Sequence, residues 1–332
     1  VKAPLLTAKA LNVAYAPRRG ARVWSVRDVS LELAEGEFAG LVGESGCGKS
    51  TLGFALTRML RPPARLESGR IWFAGHDITD LEGEALRRRR LGGFALVLQS
   101  GMNALNPVRT VEAHFADVLR AHAGRRSSGR VSGAVVRRRG AELLDRVHLP
   151  GSVLGQYAHE LSGGMRQRVV IALALALQPR LVVFDEPTTA LDVLVQDAVI
   201  STIRELQRTA GFSALLISHD LGLVLDAADR VLVMYAGRIV EDRPAADLVT
   251  GARHPYTQAL LRCYGDPRAE EIRIEGIPGA PPDLTVPAGG CPFAPRCPLA
   301  EPVCERTDPE LTRIGAGSAA CHVAAREADH DR

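Results

Sequence analysis

A chain of 332 residues with 46% hydrophobic content exceeds one ordinary domain and suffices for a packed core with a smaller appendage. Its 41 basic residues against 38 acidic ones are too evenly matched for a nucleic-acid binder or an acidic tail, so any electrostatic role is local. The longest unbroken apolar run, Val169 to Leu177, has nine residues, too few to span a bilayer, and Val1-Lys2-Ala3-Pro4 leads into no secretory apolar segment, so a cytosolic chain is expected.

In chain order, residues 11 to 42 carry short alternating segments such as Val29-Ser30-Leu31-Glu32-Leu33, broken by turn signals at Gly20 and Glu35-Gly36-Glu37. Antiparallel strands are expected there. A glycine-rich loop, Gly43 to Thr51, follows the apolar run Phe38 to Val42 and precedes a helical stretch, Leu52 to Leu60, which Pro62-Pro63 ends. Ile71-Trp72-Phe73 and Phe94 to Leu98 read as strands flanking the basic run Arg87 to Arg90. From Gln99 to Gln178 the character is helical and loop-like. Strand patterns return at Leu181 to Phe184, Ala214 to Ile217 and Val231 to Met234, alternating with helical stretches at 194 to 208 and 221 to 228. That alternation predicts a mostly parallel sheet covered by helices.

Gly43-Glu44-Ser45-Gly46-Cys47-Gly48-Lys49-Ser50-Thr51 fills every fixed position of a phosphate-binding loop in the strand-loop-helix context that loop requires. Glycines at 43, 46 and 48 let backbone N–H groups approach phosphate oxygens, and the following helix directs its positive end at the same anion. Lys49 is one of three lysines, in a chain that otherwise uses arginine for positive charge. A compact ammonium is expected to reach the β- and γ-phosphates, and the Ser50 hydroxyl to ligate magnesium. Cys47 reads as a small filler within the loop. The strand Leu181 to Phe184 ends in Asp185-Glu186-Pro187, at the edge where open α/β sheets bind ligands. Asp185 is the natural second partner for magnesium, and Glu186 the candidate base that polarises the attacking water.

Leu161-Ser162-Gly163-Gly164-Met165-Arg166-Gln167-Arg168 opens a further helix with small residues, a second N-terminus suited to an anion. With this stretch the chain resembles the ABC ATPases. In that family the Ser162-Gly163-Gly164 loop closes on the γ-phosphate of ATP held by an opposing subunit, which implies a dimer with two shared sites. Further positions match in family order. Gln99 corresponds to the glutamine that senses magnesium and water, Leu191-Asp192 to the loop that communicates between sites, His219 to the switch histidine, and Tyr15 to the adenine-stacking aromatic. Met165 stands where many members carry glutamine. The resemblance implies an α/β, ABC-type nucleotide-binding domain over residues 1–250. By the same resemblance it would have a RecA-like core, an antiparallel β subdomain and a helical signature subdomain at about 100–178.

Beyond residue 250 the composition shifts to proline, glycine and cysteine, with a helix start at His254-Pro255-Tyr256. Cys291, Cys297, Cys304 and Cys321 lie here, separated by gaps of five, six and sixteen residues. Clustered thiols in a cytosolic chain favour metal over disulfides, but these gaps lack the paired CxxC of common zinc sites, so metal and free structural thiols both stay open. Cys263 reads as structural.

The segments Gly276 to Pro282 and Cys291-Pro292-Phe293-Ala294-Pro295-Arg296-Cys297-Pro298 resemble the C-terminal extension of the oligopeptide and dipeptide ABC importer ATPases. The resemblance implies a small Cys-rich extension over 251–332, with a 4Fe-4S cluster on the four cysteines and His322 a weaker substitute ligand. It further implies ATP-driven import, with two transmembrane permease subunits, a second and paralogous ATPase subunit, an extracytoplasmic substrate-binding protein and no nucleic acid. The place would be the cytoplasmic face of the inner membrane, peripherally. Related chains serve peptides, nickel, opines or glycosides. Two other readings are a soluble ABC ATPase acting on DNA or ribosomes, and an iron or redox sensor in the tail that controls the ATPase. The basic clusters Arg87 to Arg90, Arg125-Arg126 and Arg137 to Arg139 read as solvated faces.

Overall fold

The computed structural model describes residues 3–17, 19–90, 92–99, 104–122, 131–189, 191–264, 275–286 and 289–330. The chain divides into two compact units, one of residues 1–79 with 216–332 and the other of residues 80–215.

The first unit opens with β1 (Pro4–Tyr15), paired antiparallel with β2 (Val23–Ala34). In β2 the alternation is direct: Val29, Leu31 and Leu33 are buried while Ser30 and Glu32 are exposed. β3 (Phe38–Val42) is buried at all five positions. α1 (Lys49–Leu56) follows the glycine-rich loop, and β4 (Ala64–Phe73) and β5 (His76–Asp77) complete a sheet of order β2-β1-β4-β5. The helix expected over Leu52 to Leu60 is displaced toward the loop. Gly48, in the left-handed region at φ +108°, caps it, so Lys49 already lies in the first turn. Arg58 at φ +53° turns the chain out of the helix well before Pro62-Pro63.

The second unit contains α2 (Gly83–Arg89), β6 (Phe94–Val97), α3 (Val111–His122), α4 (Gly133–Arg146), α5 (Gly163–Ala174), β7 (Leu181–Asp185) and α6 (Val193–Ala210). β6 and β7 are parallel, with Val97 opposite Phe184. Phe115, Leu143, Leu144 and Val169 bury the faces of α3, α4 and α5, which is where the sequence loses its strand pattern. The basic run lies on α2 and its end: exposed Arg87 and Arg88 both pair with Glu84. On α4, Arg137 pairs with Glu112 and Arg139 with Glu142, again at the surface. Such pairs are solvated and contribute little to stability. Arg125-Arg126 lies outside the described residues.

β8 (Ser213–Ile217) leads the chain from the second unit back into the first, where the Ser218 N–H donates to the Leu41 carbonyl. There follow α7 (Leu221–Ala227), β9 (Arg230–Tyr235), β10 (Arg238–Pro244), α8 (Ala245–Gly251) and α9 (Pro255–Tyr264). Then come α10 (Pro302–Arg306), the short hairpin strands β11 (Thr312–Ile314) and β12 (Gly317–Ala319), and α11 (His322–His330). Within this unit the order runs β11-β12-β10-β9-β3. The β9–β10 hairpin turns on Ala236-Gly237, both at positive φ, as a tight right-twisting turn demands.

β3 is not part of an antiparallel lead-in; it lies parallel to β9, because a strand apolar on both faces belongs inside a parallel sheet. No helix among the described residues is long and apolar enough to cross a membrane.

Candidate functional site

The phosphate-type loop is fixed by close backbone contacts. A Cβ on Gly43 would come within 2.1 Å of the Met234 carbonyl oxygen, and one on Gly48 within 1.9 Å of the Ser25 carbonyl oxygen. Both positions also have positive φ, so only glycine passes between β3 and α1 along this path. The Cys47 N–H donates to the Glu44 carbonyl, and the Cys47 carbonyl accepts from the Gly237 N–H. Cys47 is buried, and burial pushes its thiol pKa up, as suits an inert filler. Ser45 and Gly46 form the exposed crest and Ser50 is half-buried in the first turn of α1.

Lys49 is only 5% exposed, and its Nζ donates to the carbonyls of Gly43 at 2.7 Å and Glu44 at 2.9 Å. Those bonds aim a compact cation along the inner curve of the loop. Together with the start of α1, it makes a site for a polyphosphate. Thr51 is buried beneath and shares a hydrogen bond of 3.1 Å with the Tyr15 hydroxyl, which ties the predicted adenine-stacking residue to the same helix.

In the second unit, parallel pairing of β6 and β7 brings Gln99 and Asp185-Glu186 to the same carboxyl edge. Gln99 Nε2 donates to Glu186 Oε2 at 2.6 Å, and the Thr189 hydroxyl donates to the same oxygen at 2.9 Å. Glu186 sits at φ +46°, an uncommon backbone state for a residue with a side chain, held just after the strand end. Asp185 is 3% exposed at that end. The pair of residues expected to handle water and magnesium is thus in direct contact.

Ser162 and Asp192 act as helix caps: Ser162 Oγ accepts from the Met165 N–H at 3.3 Å and Asp192 Oδ1 from the Val195 N–H at 3.0 Å. Gly163 and Gly164 open α5, where a Cβ on Gly164 would approach Val195 Cγ1 to 2.7 Å, so the starts of α5 and α6 adjoin. His219 is exposed just after β8, next to Asp220, which caps α7.

The four tail cysteines line one cavity in the first unit, together with His254, Phe293 and His322. All four are free thiols. Burial pushes Cys291 up to about 11 and raises Cys297 and Cys321, which favours the protonated thiol over the thiolate. Among the described residues, no three His, Cys, Asp or Glu side chains converge to hold a single metal ion. Neither a single metal ion nor an iron–sulfur cluster on these cysteines therefore gains support from this geometry. The iron–sulfur reading rests on the donor set alone, four thiols lining one cavity. His322 Nε2 lies 2.9 Å from the Thr307 carbonyl and is engaged there, and Cys263 Sγ donates to the Glu275 carbonyl at 2.9 Å.

Two residues escaped the motif reading. The Tyr256 hydroxyl accepts from the Glu44 N–H at 2.8 Å, and Arg296 grips the Glu44 carboxylate. The only sequence signal was their place in the two tail segments already singled out, His254-Pro255-Tyr256 and Pro295-Arg296-Cys297.

Comparison with known proteins agrees with this geometry. Residues 26–189 match the ABC transporter family, and residues 240–304 match the oligopeptide/dipeptide transporter C-terminal region. The chain is 38% identical to the dipeptide transport ATP-binding protein DppD of Haemophilus influenzae, covering 97% of this chain and 96% of the relative. It is 38% identical to the protein of the same name from Bacillus subtilis, with 98% and 96% covered. It is 41% identical to the probable peptide ABC transporter ATP-binding protein y4tR of Sinorhizobium fredii, with 88% and 87% covered. Among solved structures, the dimeric ATP-binding cassette MJ0796 bound to ADP and Pi superposes with a TM-score of 0.63 at 24% identity, covering 72% of this chain and 98% of that one, a likeness of fold. From the buried lysine in its glycine loop, the Gln99–Glu186 contact and full-length relatives at this identity, it follows that the chain belongs to the ATP-binding proteins of ABC transporters, in the oligopeptide/dipeptide group, and is an ABC-type ATPase.

Proposed function

We propose that this ATPase powers the import of di- and oligopeptides. The observation that carries the reading is the match of residues 240–304 to the oligopeptide/dipeptide C-terminal region, on a chain whose relatives are named for dipeptide or peptide transport over nearly their whole length. The chain would work peripherally at the cytoplasmic face of the membrane. Its partners would be two transmembrane permease subunits, a second ATPase subunit and an extracytoplasmic binding protein. None of these relatives supports action on DNA or ribosomes.

In this reading Gly43 to Thr51 bind the phosphates of ATP, Tyr15 stacks on adenine, and Ser50, Gln99 and Asp185 serve magnesium. Glu186 is the general base, oriented by Gln99 and Thr189. Ser162, Gly163, Gly164 and Asp192 complete the site of an opposing subunit, and His219 is the switch. ATP would hold the dimer closed through phosphate contacts from both chains, and hydrolysis would remove that difference in affinity and let it open. The ATPase domain would span 1–250 and the cysteine-bearing extension 251–332.

Uptake of labelled peptides by cells lacking this gene tests the cargo. Restoration of peptide uptake by the wild-type chain is expected; restoration of nickel or glycoside uptake alone would refute peptide import. For the extension, we assign Cys291, Cys297, Cys304 and Cys321 as the ligands of a 4Fe-4S cluster, a reading that rests on the donor set of four thiols lining one cavity. Protein purified without oxygen is expected to carry about four iron and four sulfide per chain, as that cluster type requires, and to lose both when Cys297 and Cys304 are replaced by serine. Iron and sulfide at background would exclude the cluster.

A further inference from the structure

Every polar group of Glu44, the second residue of the phosphate loop, is engaged. Its carbonyl accepts from Lys49 Nζ and from the Cys47 N–H, which are contacts within the loop. Its other groups are held from the C-terminal part of the chain. The backbone N–H donates to the Tyr256 hydroxyl, and the carboxylate takes both terminal nitrogens of Arg296, Nη1 at 2.8 Å and Nη2 at 3.0 Å.

Arg296 is built for this position. Its side chain is only 5% exposed, its Nε donates to the Pro278 carbonyl at 2.8 Å, and Nη1 also reaches the Tyr235 hydroxyl. The guanidinium lies 5.8 Å from the centroid of Tyr235 and 5.9 Å from that of Phe293. A guanidinium carries its charge across the whole ordinary pH range, so the clamp needs no titrating partner. Tyr256 is set with equal care. Buried Glu241 accepts from the N–H groups of Arg253 and His254, and His254 Nδ1 accepts from the Tyr256 N–H. Burial drives His254 down to about 3, so its ring stays neutral and keeps that acceptor. Burial raises the Tyr256 phenol, which stays protonated.

We propose that Arg296, assisted by Tyr256, is a positioning residue for ATP. By clamping Glu44 it holds the phosphate loop in its nucleotide-binding shape, and so makes ATP affinity depend on the Cys291–Cys297 segment being docked. The chemistry favours this over plain packing. A planar, bidentate pair fixes orientation as well as distance, and the residue it fixes supplies the carbonyl that holds Lys49. The inference uses the ATPase assignment and is independent of the transported cargo.

The test is a set of ATP-binding titrations and steady-state ATPase measurements on the full chain with Arg296→Ala, Arg296→Lys, Glu44→Ala and the Arg296→Ala/Glu44→Ala double variant. Loss of the clamp is expected to raise Kd and KM for ATP about tenfold, with kcat changing less, since a charge-assisted bidentate pair acts here through the loop. Lysine should rescue part of the loss, because it keeps the charge without the fork. The double variant should bind no worse than the weaker single one, since both changes remove one interaction. If Arg296→Ala does not fold, the same cycle is run with Arg296→Lys and Glu44→Gln. Unchanged ATP affinity in folded Arg296 variants, or independent additive losses in the double variant, would overturn the proposal and leave Arg296 as a packing residue.

Discussion

Glu186→Gln is expected to bind ATP as the wild type does while turnover falls by about 100-fold or more, the usual contribution of a positioned general base. Glutamine keeps the size of the side chain and one carbonyl oxygen, so the bonds now received from Gln99 and Thr189 have an acceptor and the strained turn at φ +46° is retained. What disappears is the carboxylate basicity. With hydrolysis blocked, the free energy of ATP binding remains in the closed state, so an ATP-dependent dimer should accumulate and persist. Size-exclusion chromatography with ATP and magnesium, beside a phosphate-release assay, reads both effects. Unimpaired phosphate release in this variant would remove Glu186 from its role.

Lys49→Ala is expected to act one step earlier, on binding. The ammonium is almost fully buried among loop carbonyls, where charge-assisted bonds count for most. Its removal should weaken ATP by about 100-fold, equivalent to two steps of about 1.4 kcal/mol each, and Lys49→Arg should not restore affinity, because a planar fork cannot take the place of a point charge in that curve. Nucleotide titration measures this directly. ATP binding within about threefold of wild type, less than one such step, would show that the loop's phosphate contacts run through its backbone alone.

The parts of this protein legible in sequence are those whose chemistry is local. The glycine loop is such a part: the spacing of Gly43, Gly46, Gly48 and Lys49 already demands tight turns and a helix start, and the structure supplies both. Helix caps at Ser162 and Asp192 are equally local, a serine and an aspartate standing just before a helix, although the motif reading treats them only as ligands. The parallel direction of β6 and β7 followed from the strand-helix alternation, but that of β3 was not legible. Phe38 to Val42 is apolar throughout, and only the long-range pairing with β9 makes it parallel. β10 was missed because Glu241, a carboxylate at a fully buried position, breaks its alternation, and that residue is buried to hold the Arg253-His254 turn. The Glu44–Arg296 clamp lay furthest from view. Its partners are 252 residues apart, and nothing local to a glutamate in a loop or an arginine in a proline-rich tail says that the fold joins them.

The most direct test of the whole account is uptake of labelled di- and oligopeptides by cells that lack this gene, complemented with the wild-type chain or with Glu186→Gln at matched expression. Uptake restored by the wild type and absent with Glu186→Gln is the result expected if hydrolysis at this site drives import. Equal restoration by both chains would contradict it, because transport would then proceed without the step that this site performs.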